Sequence, residues 1–217
     1  MSDLFLKSFV QRNRKPTEKK QRLLENNKCL ITDYDSVKQD LQNYKKINLE
    51  IGFGRGEFLL KHALLYPQEL FIGSEPFLSG VMNVLQCLKD DEIPNIRVFN
   101  DDARILMSQI ESELFDKIFI LFPDPWPKAR HNKRRVINQF LLDKLYQLLK
   151  WNGQIHIVTD SDDYSEWIAE LLMKDNRYKI LSSENKVQIA DLNTSYYRKA
   201  KERHHQIHVF GVYKSPD

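Results

Sequence analysis

The chain has 217 residues, a formal net charge of +3, 41% hydrophobic residues and 29% charged residues. That is enough apolar material for one α/β domain with a small appendage, and it excludes both a disordered chain and a pair of large domains. No apolar run approaches the roughly 20 residues needed to span a bilayer, which excludes a membrane-spanning helix. The two cysteines, Cys29 and Cys87, belong to no CxxC or Cys/His cluster, so a disulfide framework and a metal site are both unexpected and the spacing points to a reducing, cytosolic compartment.

Residues 1–28 form a basic leader of net charge +5, and residues 1–45 are taken as an N-terminal extension to a domain spanning 46–217. From Ile47 the chain alternates short apolar runs with amphipathic stretches. The pattern predicts a strand over 47–51, a helix over 57–66 stopped by Pro67, a strand over 70–73 and a helix over 77–88. A strand over 96–99, a helix from Ala103 and a strand over 117–122 follow. The last of these is apolar on both faces, as parallel sheets require. Residues 134–150 predict a helix, with Asn152-Gly153 as its stop. A strand over 154–158, a helix over 164–173 and two final strands over 178–182 and 207–213 complete the series. This alternation implies an α/β fold: a doubly wound, mostly parallel sheet with helices on both faces and an antiparallel strand at the C-terminal end. Ligands of such sheets sit outside the carboxyl ends of the strands.

Only seven glycines occur, yet three lie at Gly52, Gly54 and Gly56, in Leu49-Glu-Ile-Gly-Phe-Gly-Arg-Gly56, between a predicted strand and a predicted helix. Glycines there allow a sharp turn and a close approach of backbone to ligand. The spacing is not that of a dinucleotide fingerprint, because its third glycine would fall on Glu57, whose carboxylate would repel a pyrophosphate. A cofactor without phosphate fits better, and the cationic S-adenosylmethionine suits the acids at successive strand ends: Glu50 beneath the loop, Glu75 at the ribose position and Asp102 near the expected adenine.

Three of the eight prolines fall in Phe122-Pro-Asp-Pro-Trp-Pro-Lys-Ala-Arg-His-Asn-Lys-Arg-Arg135. Prolines on both sides of Asp124 restrict its backbone, and Trp126 offers a flat face to a nucleobase. Residues 128–135 carry a net charge of +5 and residues 196–205 a net charge of +3, leaving −10 for the chain outside the three basic segments. Such segregation suggests a polyanionic partner.

This string, with Leu-Glu-Ile-Gly-x-Gly upstream and Val158-Thr-Asp160 downstream, resembles the bacterial tRNA (guanine-N7-)-methyltransferases from about residue 47 onward. The resemblance implies a class I, Rossmann-like methyltransferase that uses S-adenosylmethionine to methylate N7 of a variable-loop guanine in tRNA. It implies cofactor contacts by Glu50, Glu75, Asp102 and Asp124, with Asp124 also at the catalytic centre. Substrate contacts are implied for Lys128, Asp160, Thr194, Ser195, Tyr196 and Tyr197, and tRNA contacts for Arg130, His131, Asn132, Lys133, Arg134 and Arg135. One departure stands out: the family shows Thr-x-aromatic-Glu where this chain has Thr194-Ser-Tyr-Tyr197, so Tyr197 occupies the place of an acid. The alternatives are a methyltransferase acting on another base and a non-catalytic RNA-binding protein on the same scaffold; a nicotinamide-dependent oxidoreductase fits least.

Overall fold

The computed structural model describes residues 17–25, 27–90, 93–188 and 192–215. Most of the leader (1–16), to which the charge pattern assigns an RNA-facing role, lies outside the described residues. In chain order the elements are α1 (Glu18–Glu25), β1 (Leu30–Ile31), α2 (Asp35–Leu41), β2 (Lys46–Ile51), α3 (Glu57–Leu65), β3 (Glu69–Ser74), α4 (Leu78–Asp90), β4 (Ile96–Phe99), α5 (Ala103–Ser108) and β5 (Phe115–Leu121). They continue with α6 (Gln139–Leu148), β6 (Leu149–Thr159), α7 (Asp162–Lys174), β7 (Tyr178–Ile180), α8 (Ser195–Glu202) and β8 (His208–Lys214).

All eight strands form one sheet in the order β1-β4-β3-β2-β5-β6-β8-β7. The strands from β1 to β6 pair in parallel, and β8 is antiparallel to both β6 and β7. Leu49, Leu70, Ile72, Ile118, Ile155 and Ile157 are essentially inaccessible, because helices cover both faces of a parallel sheet. The result is the doubly wound architecture expected from the alternation. Among the described residues no helix is long and apolar enough to cross a membrane.

Three local features differ from the sequence expectations. The boundary near residue 45 does not separate an appendage from the domain: β1 pairs with β4 at the sheet edge, and Val37 of α2 is fully buried in the main core. Next, α6 begins at Gln139 rather than Arg134. Residues 129–134 form a 3-10 turn, and Asn138 caps the helix by accepting from the Leu141 N–H at 3.0 Å. Finally, β6 starts directly at Leu149. Asn152, with φ of 59°, and Gly153 lie inside the strand, at a register shift opposite Phe115 and Lys117, instead of ending a helix.

Candidate functional site

The carboxyl ends of β2, β3, β4 and β5 open into a cleft of about 850 Å³ lined by Gly52, Gly54, Glu75, Asp102, Asp124 and Tyr196, among others. The glycine loop forms one wall. Gly52 has φ of 74°, and a Cβ built on it would meet nothing within 4 Å, so its backbone faces open space. Gly56 does not line the cleft. With φ of 75° it precedes α3, and a Cβ there would lie 2.1 Å from the Val84 side chain, so it serves close packing of the loop on α4. Sequence reasoning missed Gly80, where a Cβ would lie 1.9 Å from the Gly54 carbonyl oxygen. Only a glycine lets α4 approach the loop so closely.

Glu75 is 4% exposed and accepts the Gly54 N–H with one carboxylate oxygen and the Phe77 N–H with the other, both at 2.8 Å. Burial raises its pKa, against the opposing pull of those two donors. Glu50 is equally buried below the loop, and its Oε2 has no hydrogen-bond partner. Burial first and the Glu75 charge second push its pKa up to about 8. Asp102 reaches the cleft, but it also caps α5 through the Arg104 N–H at 3.0 Å and pairs with the Arg104 guanidinium. An open glycine cradle, two crowded acids and a buried oxygen lacking a donor fit a cationic, hydrogen-bonding ligand such as S-adenosylmethionine.

After β5 the chain enters the proline loop through two aromatic residues in the left-handed region, Phe122 at φ 52° and Trp126 at φ 46°. Each such residue costs about 1–3 kcal/mol and persists only where its surroundings fix it. Between them Asp124 lies exposed on the cleft rim, where partial desolvation raises its pKa. One face of Trp126 is taken: the Arg134 guanidinium sits 4.9 Å from its ring centroid, and His131 meets it edge-on at 5.7 Å.

The basic run divides. Lys128, Arg130 and Lys133 are exposed, whereas His131, Asn132 and Arg134 are partly covered. Arg135 departs from the expected RNA contact. It is 2% exposed, donates to the Pro125 carbonyl at 2.9 Å, pairs with Asp163 of α7, and lies 4.9 Å and 5.4 Å from the ring centroids of Tyr164 and Trp167. A side chain so enclosed reaches no phosphate; it ties the proline loop to α7.

Beyond Asp124 a wider cleft of about 1,490 Å³ opens, lined by Phe122, Asp124, Asp160, Tyr196, Lys199 and His205 among others. Asp160 lies 3.1 Å from His205. Of the four residues 194–197, only Tyr196 lines either cleft. Thr194 is buried and caps α8, its Oγ1 accepting the Tyr197 N–H at 3.2 Å. The Ser195 N–H donates to Glu57 at 2.6 Å. Tyr197 packs against the apolar cluster of Phe58, Phe119 and Leu192, which explains how an aromatic ring stands where the resembling family has an acid. In the free chain Thr194, Ser195 and Tyr197 hold α8 and line neither cleft.

Glu57 also takes a different part from the one its place in the glycine loop suggests. Its carboxylate turns to α8, accepting from Ser195 and from Arg198 Nη2 at 2.8 Å. Partial burial alone would raise its pKa, but those partners outweigh it and hold the carboxyl low. The link sets Tyr196 against the loop, where a Cβ on Gly54 would stand 3.1 Å from its ring.

A family model described as "Putative methyltransferase" matches residues 44–210. The chain is 39% identical over 178 residues to a tRNA (guanine-N(7)-)-methyltransferase of Wolbachia pipientis wMel, covering 82% of this chain and 79% of that one. It is 33% identical over 183 residues to the enzyme of the same name from Neorickettsia sennetsu, at 82% and 80% coverage. In fold it matches a crystal structure of the 16S rRNA methyltransferase KamB with a TM-score of 0.62 at 14% identity, covering 86% of this chain and 95% of that one. The strand order, the cleft at the strand ends and these relationships together establish that the chain belongs to the tRNA (guanine-N(7)-)-methyltransferase family of S-adenosylmethionine-dependent enzymes.

Proposed function

We propose that the protein methylates N7 of a guanine in tRNA, at the variable-loop position that the family resemblance implies, with Asp124 as the central catalytic group. The observation that carries this reading is the position of Asp124 on the border of both clefts, beside an exposed cationic turn. When bound, S-adenosylmethionine supplies a methyl electrophile: the N7 lone pair forms the new C–N bond as the C–S bond breaks and its electron pair returns to sulfur.

Guanine N7 needs no deprotonation before attack, so the site requires alignment more than a strong base. Holding two reactants in line is worth roughly 7–11 kcal/mol. The base becomes cationic as the bond forms, and the Asp124 carboxylate offsets that charge. Gly52, Gly54, Glu75, Asp102 and the buried Glu50 hold the cofactor side. Lys128 and Asp160 fix the base or its backbone, while Arg130, His131, Asn132, Lys133 and Arg134 meet phosphates.

Labelled S-adenosylmethionine incubated with bulk tRNA, followed by nucleoside analysis, should yield 7-methylguanosine. Asp124→Asn should bind both substrates and lose roughly 10²–10³ in rate, the magnitude of a removed charge-stabilising group. Methylation of another atom refutes the substrate assignment, and an unimpaired Asp124→Asn enzyme refutes the role of the acid.

A further inference from the structure

We infer that Phe122 and Tyr196 are the two walls of a slot that stacks the target base, a role that the sequence pattern assigns to Trp126. The inference rests on the tRNA-guanine reading above. Trp126 is engaged by Arg134 and His131 and lines neither cleft. Phe122 and Tyr196 line both, together with Asp124. Their rings are nearly parallel, at 15°, with centroids 6.4 Å apart. A base between two rings needs about 3.5 Å of contact distance on each side, about 7 Å in all, more than the 6.4 Å between the centroids, so α8 must move outward to admit it.

Each wall is braced. Phe122 packs on the cluster of Phe58, Phe119 and Leu121, and its N–H is bonded to the Val158 carbonyl at 2.8 Å. Tyr196 is carried by a helix held through the Thr194 cap and Glu57. A left-handed backbone at a bulky aromatic is the kind of strain that accumulates at working sites. The chemistry suits the geometry. Guanine gains positive charge as its N7 is methylated, and aromatic faces attract cations, so the slot binds the methylating base more tightly than the neutral one and its contribution falls on kcat.

The test uses the full-length enzyme with tRNA at saturating S-adenosylmethionine. Phe122→Leu and Tyr196→Leu should lower kcat by about 5- to 150-fold, the range for loss of one base–aromatic stack. Phe122→Trp and Tyr196→Phe should retain most of the rate. The tRNA affinity set by phosphate contacts should change little, and saturating cofactor keeps any change in its binding out of kcat. Free 7-methylguanosine should inhibit the wild-type enzyme more strongly than guanosine, and the leucine variants should lose that preference. Leucine variants that methylate at the wild-type rate, or aromatic replacements as slow as leucine, overturn the slot. Tyr196 is 50% exposed, so its variants decide the matter if Phe122→Leu does not fold. The nucleoside made by the wild-type enzyme tests the underlying reading separately, because the slot is scored by variant-to-wild-type ratios.

Discussion

Replacing Arg135 by Ala tests how the basic run is partitioned. The guanidinium is buried, donates to the Pro125 carbonyl and lies against two aromatic rings. A charged donor lost from the partly buried Pro125 carbonyl costs about 1.5–3 kcal/mol, and the two ring contacts add about 0.5–2 kcal/mol between them. The Asp163 side chain is 63% exposed, so freeing it into water adds little. The total, about 3–5 kcal/mol with the cavity left behind, corresponds to a fall in Tm of roughly 6–20 °C for a chain of this size. Thermal unfolding followed by circular dichroism measures it, and tRNA binding across a salt series supplies the second readout. Arg135→Ala should melt early and methylate slowly, because Pro125 neighbours Asp124, while its salt slope matches the wild type. A loss under 1 kcal/mol with a shallower salt slope would refute the anchoring role and restore Arg135 as a phosphate contact.

Arg130→Ala with Lys133→Ala should do the opposite, leaving Tm unchanged and reducing the log–log salt slope of tRNA binding by about 1.4–1.8, the value for two phosphates; an unchanged slope returns both residues to an ordinary solvated face. Glu50, with its pKa raised to about 8, is mainly protonated at pH 7. A cationic ligand favours its charged form, so binding should release on the order of one proton, and cofactor affinity should rise as the pH climbs toward 8. Calorimetry in buffers of different ionisation enthalpy measures the release, and a wild-type enzyme that releases no proton, or a Glu50→Gln variant that releases as many, contradicts this. Gly80→Ala places a methyl group against the Gly54 carbonyl and should cost about 1–3 kcal/mol as overpacking, with weaker cofactor binding by titration; unchanged affinity and Tm would show that the loop accommodates it freely.

The parallel core was legible because burial on both faces leaves continuous apolar runs such as Lys117-Ile-Phe-Ile-Leu121, and because Gly52, Gly54 and Gly56 mark the first strand-to-helix turn. The sheet edge was not legible. Leu30–Ile31 is too short to show alternation, and α2 buries only Val37. The start of α6 carried its own signal in Asn138, a favoured capping residue, but the apolar spacing of Val136 and Ile137 extended the predicted helix backward. In the site, composition singled out Asp124 and the cations after it. It could not distinguish an exposed Lys133 from a buried Arg135, because that difference depends on Tyr164, Trp167 and Asp163 of α7, about thirty residues away in sequence. The same holds for Glu57, whose partners Ser195 and Arg198 lie at the far end of the chain.

The two left-handed aromatic residues around Asp124 have an evolutionary consequence. Asn adopts that backbone region far more easily than Phe or Trp, but Asn at position 122 would also lose the packing of the ring on Phe58, Phe119 and Leu121, so relief of strain and loss of burial oppose each other. A laboratory selection for thermal resistance alone would therefore find no simple gain at position 122, and a selection for tRNA methylation would retain the ring there. Position 122 is where backbone strain, core packing and the proposed base slot meet in one residue.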